Sequence, residues 1–148
     1  MSYTCLRFHV TFSTKDRRPL IRSEWKEELY RYLGGIIRGE RGRLLAADGV
    51  ADHVHLYLST RADQSIADLV RRVKANSSGW MHSRWKEARG FFWQEKYGAF
   101  TVSRGDEARI VQYIKNQVKH HERVDFKEEF RRLLEKHGIE FDERYIWK

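Results

Sequence analysis

The order of elements readable along the chain, β-α-β-β-α-β-α-α, predicts an α+β fold: a ferredoxin-like, RRM-like split βαβ sandwich. Its sheet is antiparallel, with helices on one face, and two more helices follow at the C-terminal end. Three observations carry this reading. The chain opens on a strand-like alternation, two strands meet at a tight turn in its middle, and each half holds apolar residues at helical spacing.

The elements follow in order. Residues 4–13 alternate and are rich in β-formers, which predicts a strand, and Lys15-Asp16-Arg17-Arg18-Pro19 forms a basic loop. Ser23 can cap a helix to about Arg38, with Trp25, Leu29, Leu33 and Ile36 or Ile37 on one side. Residues 43–51 and 53–60 read as two strands joined near Ala51-Asp52. Ser65-Ile66-Ala67-Asp68 resembles a capping box. It opens a helix to about Glu87, with Ile66, Leu69, Val70, Val73 and Trp80 inward, and Gly90 breaks it. Residues 91–98 form an aromatic loop and 99–103 a short strand. A helix beginning at Ser103 or Asp106 runs to about His121, with a core stripe of Val111, Ile114 and Val118. Residues 125–137 form a last amphipathic helix with Phe126, Phe130, Leu133, Leu134 and His137 on its face.

A chain of 148 residues suits one domain, 1–148, and 41% hydrophobic residues place it among folded proteins. The formal net charge of +8 favours a polyanionic partner, nucleic acid before an acidic membrane surface. Cys5 is the only cysteine, so an intrachain disulfide is excluded, and its apolar surroundings predict a core position. The sequence holds no run of about 18 apolar residues and no signal-peptide pattern, which predicts a soluble, cytoplasmic protein.

The strongest local signal is Asp52-His53-Val54-His55-Leu56-Tyr57-Leu58. On a strand, His53 and His55 project to the same side, roughly 7 Å apart at Cα, where two imidazoles can close on one divalent ion. The simpler reading is two half-exposed strand histidines. Val54, Leu56 and Leu58 take the opposite, core-facing side. The second signal is Tyr113-Ile114-Lys115-Asn116-Gln117. Tyr113 and Gln117 lie about 40° apart on a helix and roughly 110° from its core stripe, on a flank able to face a cleft. His120 falls on the same flank, either to assist proton transfer or as a solvated histidine near a helix C-terminus.

For a nucleic-acid partner, Lys15, Arg17, Arg18, Arg71, Arg72 and Lys74 can neutralise phosphates, and Asn76, Ser77 and Ser78 can hydrogen-bond backbone or bases. The alternative is a solvated helix face. Phe91, Phe92, Trp93 and Tyr97 can stack unpaired bases, though packing is the expected role of at least two of them.

Taken together, His53-Val54-His55 and the later Tyr113-x-x-x-Gln117 resemble the HUH single-tyrosine transposases of small bacterial insertion sequences, the TnpA type. The resemblance extends through Phe12-Ser13-Thr14-Lys15, Val73-Lys74-Ala75-Asn76-Ser77-Ser78 and Trp93-Gln94-Glu95-Lys96-Tyr97-Gly98. Ala51 stands where that family often has proline before the histidine run, which alters the turn and not the chemistry. The resemblance implies cleavage and rejoining of single-stranded DNA at hairpin-containing transposon ends, through a 5′-phosphotyrosine on Tyr113. It also implies Mg²⁺ or Mn²⁺ held by His53, His55 and Gln117, and a homodimer in which the histidines of one subunit face the tyrosine of the other.

Other classes fit less well. A histidine-triad site needs a third alternating histidine, and position 57 is Tyr57. A two-histidine phosphoesterase needs a second His-x-Thr/Ser motif, which the sequence lacks. An RNA-binding sheet wants aromatics on its central strands, and Phe8 with Tyr57 does not make that pattern. A catalytically silent, nucleic-acid-binding relative is the remaining alternative.

Overall fold

A computed structural model describes residues 2–148. Strand β1 (Arg7–Ser13) is followed by helix α1 (Lys26–Gly39), strands β2 (Arg43–Val50) and β3 (His53–Ser59), and helix α2 (Ile66–Arg84). Strand β4 (Gly98–Thr101) and helices α3 (Glu107–Lys115), α4 (Gln117–His120) and α5 (Phe126–Lys136) complete the chain. The strands form one antiparallel sheet in the order β2-β3-β1-β4, the split βαβ arrangement expected from the element order. No helix among the described residues is long and apolar enough to cross a membrane.

Strand alternation gives this sheet two different faces. Val10, Phe12, Val54, Leu56 and Leu58 point to one side and pack with Leu29, Leu33 and Ile37 of α1 and Leu69, Val70 and Val73 of α2. Each is almost completely buried, and together they form the main core. Phe91 and Trp93 of the aromatic loop join that core, so two of its four aromatics pack inward, while Phe92 is half exposed.

The other face carries His9, Thr11, Ser13, His53, His55 and Tyr57, as the register sets Ser13 against His53, Thr11 against His55 and His9 against Tyr57. All six are buried despite their polarity. The C-terminal helices cover them: α3 packs on β2 and β3, and α4 on β2. A second apolar cluster of Phe100, Phe126, Phe130, Leu133 and Leu134 holds α5 beside β4.

Local chemistry sets the element ends. Ser65 caps α2, its hydroxyl accepting from the Asp68 amide at 3.3 Å, as the capping-box reading expected. Asp125 caps α5 in the same way, accepting from the Glu128 amide at 2.9 Å. Gly49 pairs with Val54 across the hairpin, and a Cβ there would sit 2.2 Å from the His53 carbonyl oxygen, so only glycine lets β2 approach β3 this closely.

Three expectations are corrected. Cys5 is exposed, because β1 starts only at Arg7 and residue 5 lies before the sheet. The helix expected to run to His121 breaks at Asn116, which leaves helical geometry at φ −95°, ψ 17°. The break turns the following residues, so Val118, placed in the core stripe by helical spacing, is 55% exposed while Gln117 is fully buried. His137 is exposed, although its ring stacks on Phe100 at 4.4 Å.

Candidate active site

The β2–β3 hairpin delivers His53 and His55 side by side, and neither is half exposed: both side chains are completely buried. Each ring is held at its Nδ1. His53 Nδ1 lies 2.6 Å from Asp52 Oδ1, whose carboxylate can only accept, so this nitrogen carries the proton. His55 Nδ1 lies 2.7 Å from His9 Nε2, with the two rings stacked at 5.0 Å. The Nε2 atoms are thereby left to point at one place beneath α5.

Glu129 fills that place. Its side chain is 2% exposed, and Oε1 lies 2.9 Å from His55 Nε2, 3.1 Å from His121 Nε2 and 3.4 Å from His53 Nε2. Its Oε2 accepts a short hydrogen bond from the Tyr113 hydroxyl and lies 3.3 Å from His120 Nε2. Gln117 joins from α4, donating from Nε2 to the Tyr113 carbonyl at 3.1 Å, with Oε1 2.9 Å from His121 Nε2. The structure therefore brings Tyr113, His53, His55 and Gln117 together within one chain, with His120 at the edge.

The electrostatics follow from this packing. Burial disfavours ionisation of Glu129, but the adjacent His121, His53 and His55 rings outweigh it and hold the carboxyl well below its usual range. Burial pushes the His55 imidazole down to about 4 and keeps it neutral, and it lowers His9 in the same direction. Burial also opposes the charged form of His53, yet Asp52 and Glu129 raise it. Burial, then the adjacent Glu129 charge, pushes the Tyr113 phenol up. Tyr113 also lines a pocket of about 250 Å³ with His9, Phe100, Arg109 and Lys136, on the phenol's side of the cluster.

The donor set fits a divalent cation. His53 Nε2 is buried with no hydrogen-bond partner, although a neutral imidazole with a protonated Nδ1 offers a lone pair there. One donor atom each from His53, His55, His121 and Glu129 lies within 4.8 Å of all the others. Asp52 and His9 orient the rings from behind, as the outer partners of metal-bound histidines do.

Asp52 has no site role in the sequence beyond opening the histidine motif, and His121, Glu129 and His9 have none, yet each of these three left a trace. His121 lies one turn after Gln117. Glu129 interrupts the apolar stripe of Phe126, Phe130 and Leu133 at a position helical spacing assigns to the interior. His9 shares strand parity with Thr11 and Ser13.

The residues expected at a DNA surface are dispersed. Lys15, Arg18 and Asn76 are exposed, and Arg71 and Arg72 are exposed but paired with Asp68 and Glu40. Arg17 donates to the Trp147 carbonyl at 3.0 Å. Lys74 donates to the Glu95 carbonyl at 2.8 Å, and burial lowers its ammonium to about 8. Ser77 does not reach the surface: it is fully buried, its hydroxyl donating to the Lys74 carbonyl and accepting from the Trp93 indole at 2.9 Å.

Comparison with known proteins agrees with this architecture. The profile of the family described as "Transposase IS200 like" matches residues 2–117. The ISDra2 transposase TnpA of Deinococcus radiodurans is 28% identical over 117 residues, covering 76% of this chain and 84% of that protein. The transposase for insertion sequence element IS200 of Salmonella typhimurium is 26% identical over 117 residues, covering 76% of each. Among solved structures, a putative transposase from Deinococcus radiodurans superposes with a TM-score of 0.61 at 30% identity, covering 78% of this chain and 93% of that one. A REP-associated tyrosine transposase bound to a REP hairpin shares the fold, with a TM-score of 0.60 at 18% identity over 81% of this chain and 72% of that one. Sheet, histidine pair, tyrosine helix and profile all lead to one assignment: the chain belongs to the IS200-like transposase family.

Proposed function

We propose that this transposase cleaves and rejoins single-stranded DNA at insertion-sequence ends through a covalent 5′-phosphotyrosine on Tyr113. The observation that carries this reading is the convergence of the Tyr113 phenol with the inward nitrogens of His53 and His55 on one buried point. His53 and His55 would hold a divalent ion, Mg²⁺ or Mn²⁺, with the Gln117 amide oxygen on the same side of the cluster. Bound there, such an ion supplies positive charge to polarise the scissile phosphate and stabilise the departing 3′-oxygen.

This chain's own groups account for the rest. Tyr113 Oη attacks the phosphorus, a new P–O bond forms to the phenol, and the bond from phosphorus to the 3′-oxygen breaks. The phenol proton already points at Glu129 Oε2, and His120 reaches the same oxygen from the partly exposed edge, a route toward solvent. The phosphotyrosine ester keeps the energy of the cleaved bond, so strand transfer by a free 3′-hydroxyl needs no nucleotide cofactor. Lys15, Arg18, Arg71, Arg72 and Asn76 are the exposed groups suited to the DNA backbone. The nucleophile and both histidines come from one chain, so the cluster does not need the homodimer implied by the resemblance in order to be complete.

The test is cleavage of labelled DNA carrying the chain's own flanking genomic sequence. Single strands should be cut in Mn²⁺ and left intact with a chelator, and the same sequence as a duplex should be left intact in both. Equal cutting of single strand and duplex, or cutting in chelator, would reject the reading.

A further inference from the structure

The outer partners, Asp52 and His9, account for one nitrogen each of His53 and His55, but the inward nitrogens meet a carboxylate from another helix. A buried carboxylate among histidines is costly unless something organises the group. The separations show what does. Metal–ligand bonds of about 2.0–2.2 Å place neighbouring donors on one ion about 3.0–3.5 Å apart. Glu129 Oε1 lies 2.9 Å from His55 Nε2, 3.1 Å from His121 Nε2 and 3.4 Å from His53 Nε2. These three separations fall near the edges of a coordination polyhedron, the four donor atoms all lie within 4.8 Å of one another, and His53 Nε2 is buried without any hydrogen-bond partner to explain its placement.

We propose that α5 completes the metal centre: Glu129 is a direct ligand beside His53 and His55, His121 is the fourth donor, and the site takes a first-row transition ion such as Mn²⁺ or Zn²⁺. The ion class follows from the donors. Three imidazole nitrogens with one carboxylate suit such ions, whereas Mg²⁺ prefers oxygen ligands and keeps several waters. The Gln117 oxygen lies 2.9 Å from His121 Nε2, at the edge of the same cluster.

The consequence is mechanical. Glu129 sits in the first half of α5, between the Asp125 cap and the apolar contacts of Phe130, Leu133 and Leu134. Ligation through it ties α5 to β3, so ion binding and docking of α5 over the sheet become one event. This inference rests on the reading of the cluster as a metal site, and its test is separable from DNA cleavage.

Calorimetric titration of the full chain with Mn²⁺, Zn²⁺ and Mg²⁺ measures the affinity directly. One ion should bind per chain, with Mn²⁺ and Zn²⁺ tighter than Mg²⁺. Glu129→Gln keeps the shape and removes the charge, and it should weaken Mn²⁺ binding by roughly 10-fold or more. Glu135→Gln, on the exposed side of the same helix, should bind as the natural chain does. Hydrogen exchange on the unaltered chain needs no variant: adding Mn²⁺ should slow exchange across 126–136. Undiminished Mn²⁺ affinity in a folded Glu129→Gln chain, Mg²⁺ bound as tightly as Mn²⁺, no binding at all, or unchanged or faster exchange in α5 would each overturn the proposal. A chain that binds the ion through Glu129 but never cuts DNA would sink the proposed function and leave this inference standing.

Discussion

The two faces of the sheet are built from the same two central strands, β1 and β3, and do opposite jobs. Toward α1 and α2 the strands present Val10, Phe12, Val54, Leu56 and Leu58, an apolar surface whose contribution scales with area removed from water. Toward α3, α4 and α5 they present His9, Thr11, His53, His55 and Tyr57, equally buried and held by specific polar partners. Burial on the first face stabilises. On the second it keeps His55 neutral and the Tyr113 phenol protonated, while Asp52 and Glu129 raise His53 against it. The difference lies only in residue parity, so a one-residue slip of β3 would exchange core and site.

The largest effect that breaks this comparison comes from the apolar side. Leu56→Ala removes a fully buried side chain and should cost about 2–5 kcal/mol in chemical denaturation. His53 and His55 project the other way, so the folded fraction should still bind one ion. If the variant keeps its stability, or loses the ion while still folded, the faces are not independent.

The next effect comes from the polar side and depends on pH. His55 titrates near 6.5 when unfolded and is pushed down to about 4 when folded. Above pH 6.5 it is neutral in both states. As pH falls from 6.5 to 4, the unfolded chain binds a proton that folded His55 refuses, and stability drops on the order of 3 kcal/mol. His9 adds in the same direction. His53 partly offsets them: its raised folded value contributes stability that is present below 6.5 and lost as pH rises through that folded value. Chelator-treated protein should therefore lose stability across this window, and His55→Asn should flatten the slope. An equally steep His55→Asn curve would assign the effect elsewhere.

The smallest effect sharpens the contrast. Ser65→Ala and Asp125→Ala each remove a helix cap and should each cost about 1 kcal/mol. Only Asp125→Ala loosens the helix that carries Glu129, so only it should also weaken Mn²⁺ binding. Equal ion affinity in the two variants would show that α5 is not part of the centre.

Much of this was legible in the sequence. The opening alternation, the Ser65 cap and the hairpin at Ala51-Asp52 are local features, and the sheet order follows from them. His53, His55, Tyr113 and Gln117 share strand or helix parity within short motifs, and the structure brings them together. Glu129 was not found because its role depends on α5 folding back over β3, a contact across 74 residues that no local periodicity encodes. Val118 was misplaced because helical spacing assumes an unbroken helix, and Asn116 breaks it. Ser77 suits a DNA contact by sequence because a polar residue on a basic helix resembles a surface one. Its hydroxyl instead satisfies the Trp93 indole inside the core.

Tyr113 is the proposed nucleophile, and covalent capture measures that role directly. Single-stranded DNA carrying the chain's flanking genomic sequence is incubated with protein and Mn²⁺, denatured and run on a gel. The natural chain should give a slowed, nuclease-sensitive protein–DNA adduct. Tyr113→Phe, which keeps the ring and loses the hydroxyl, should give none while still binding the DNA and the ion. An adduct of equal yield from Tyr113→Phe, or none from the natural chain on DNA that it demonstrably cuts, would contradict the account.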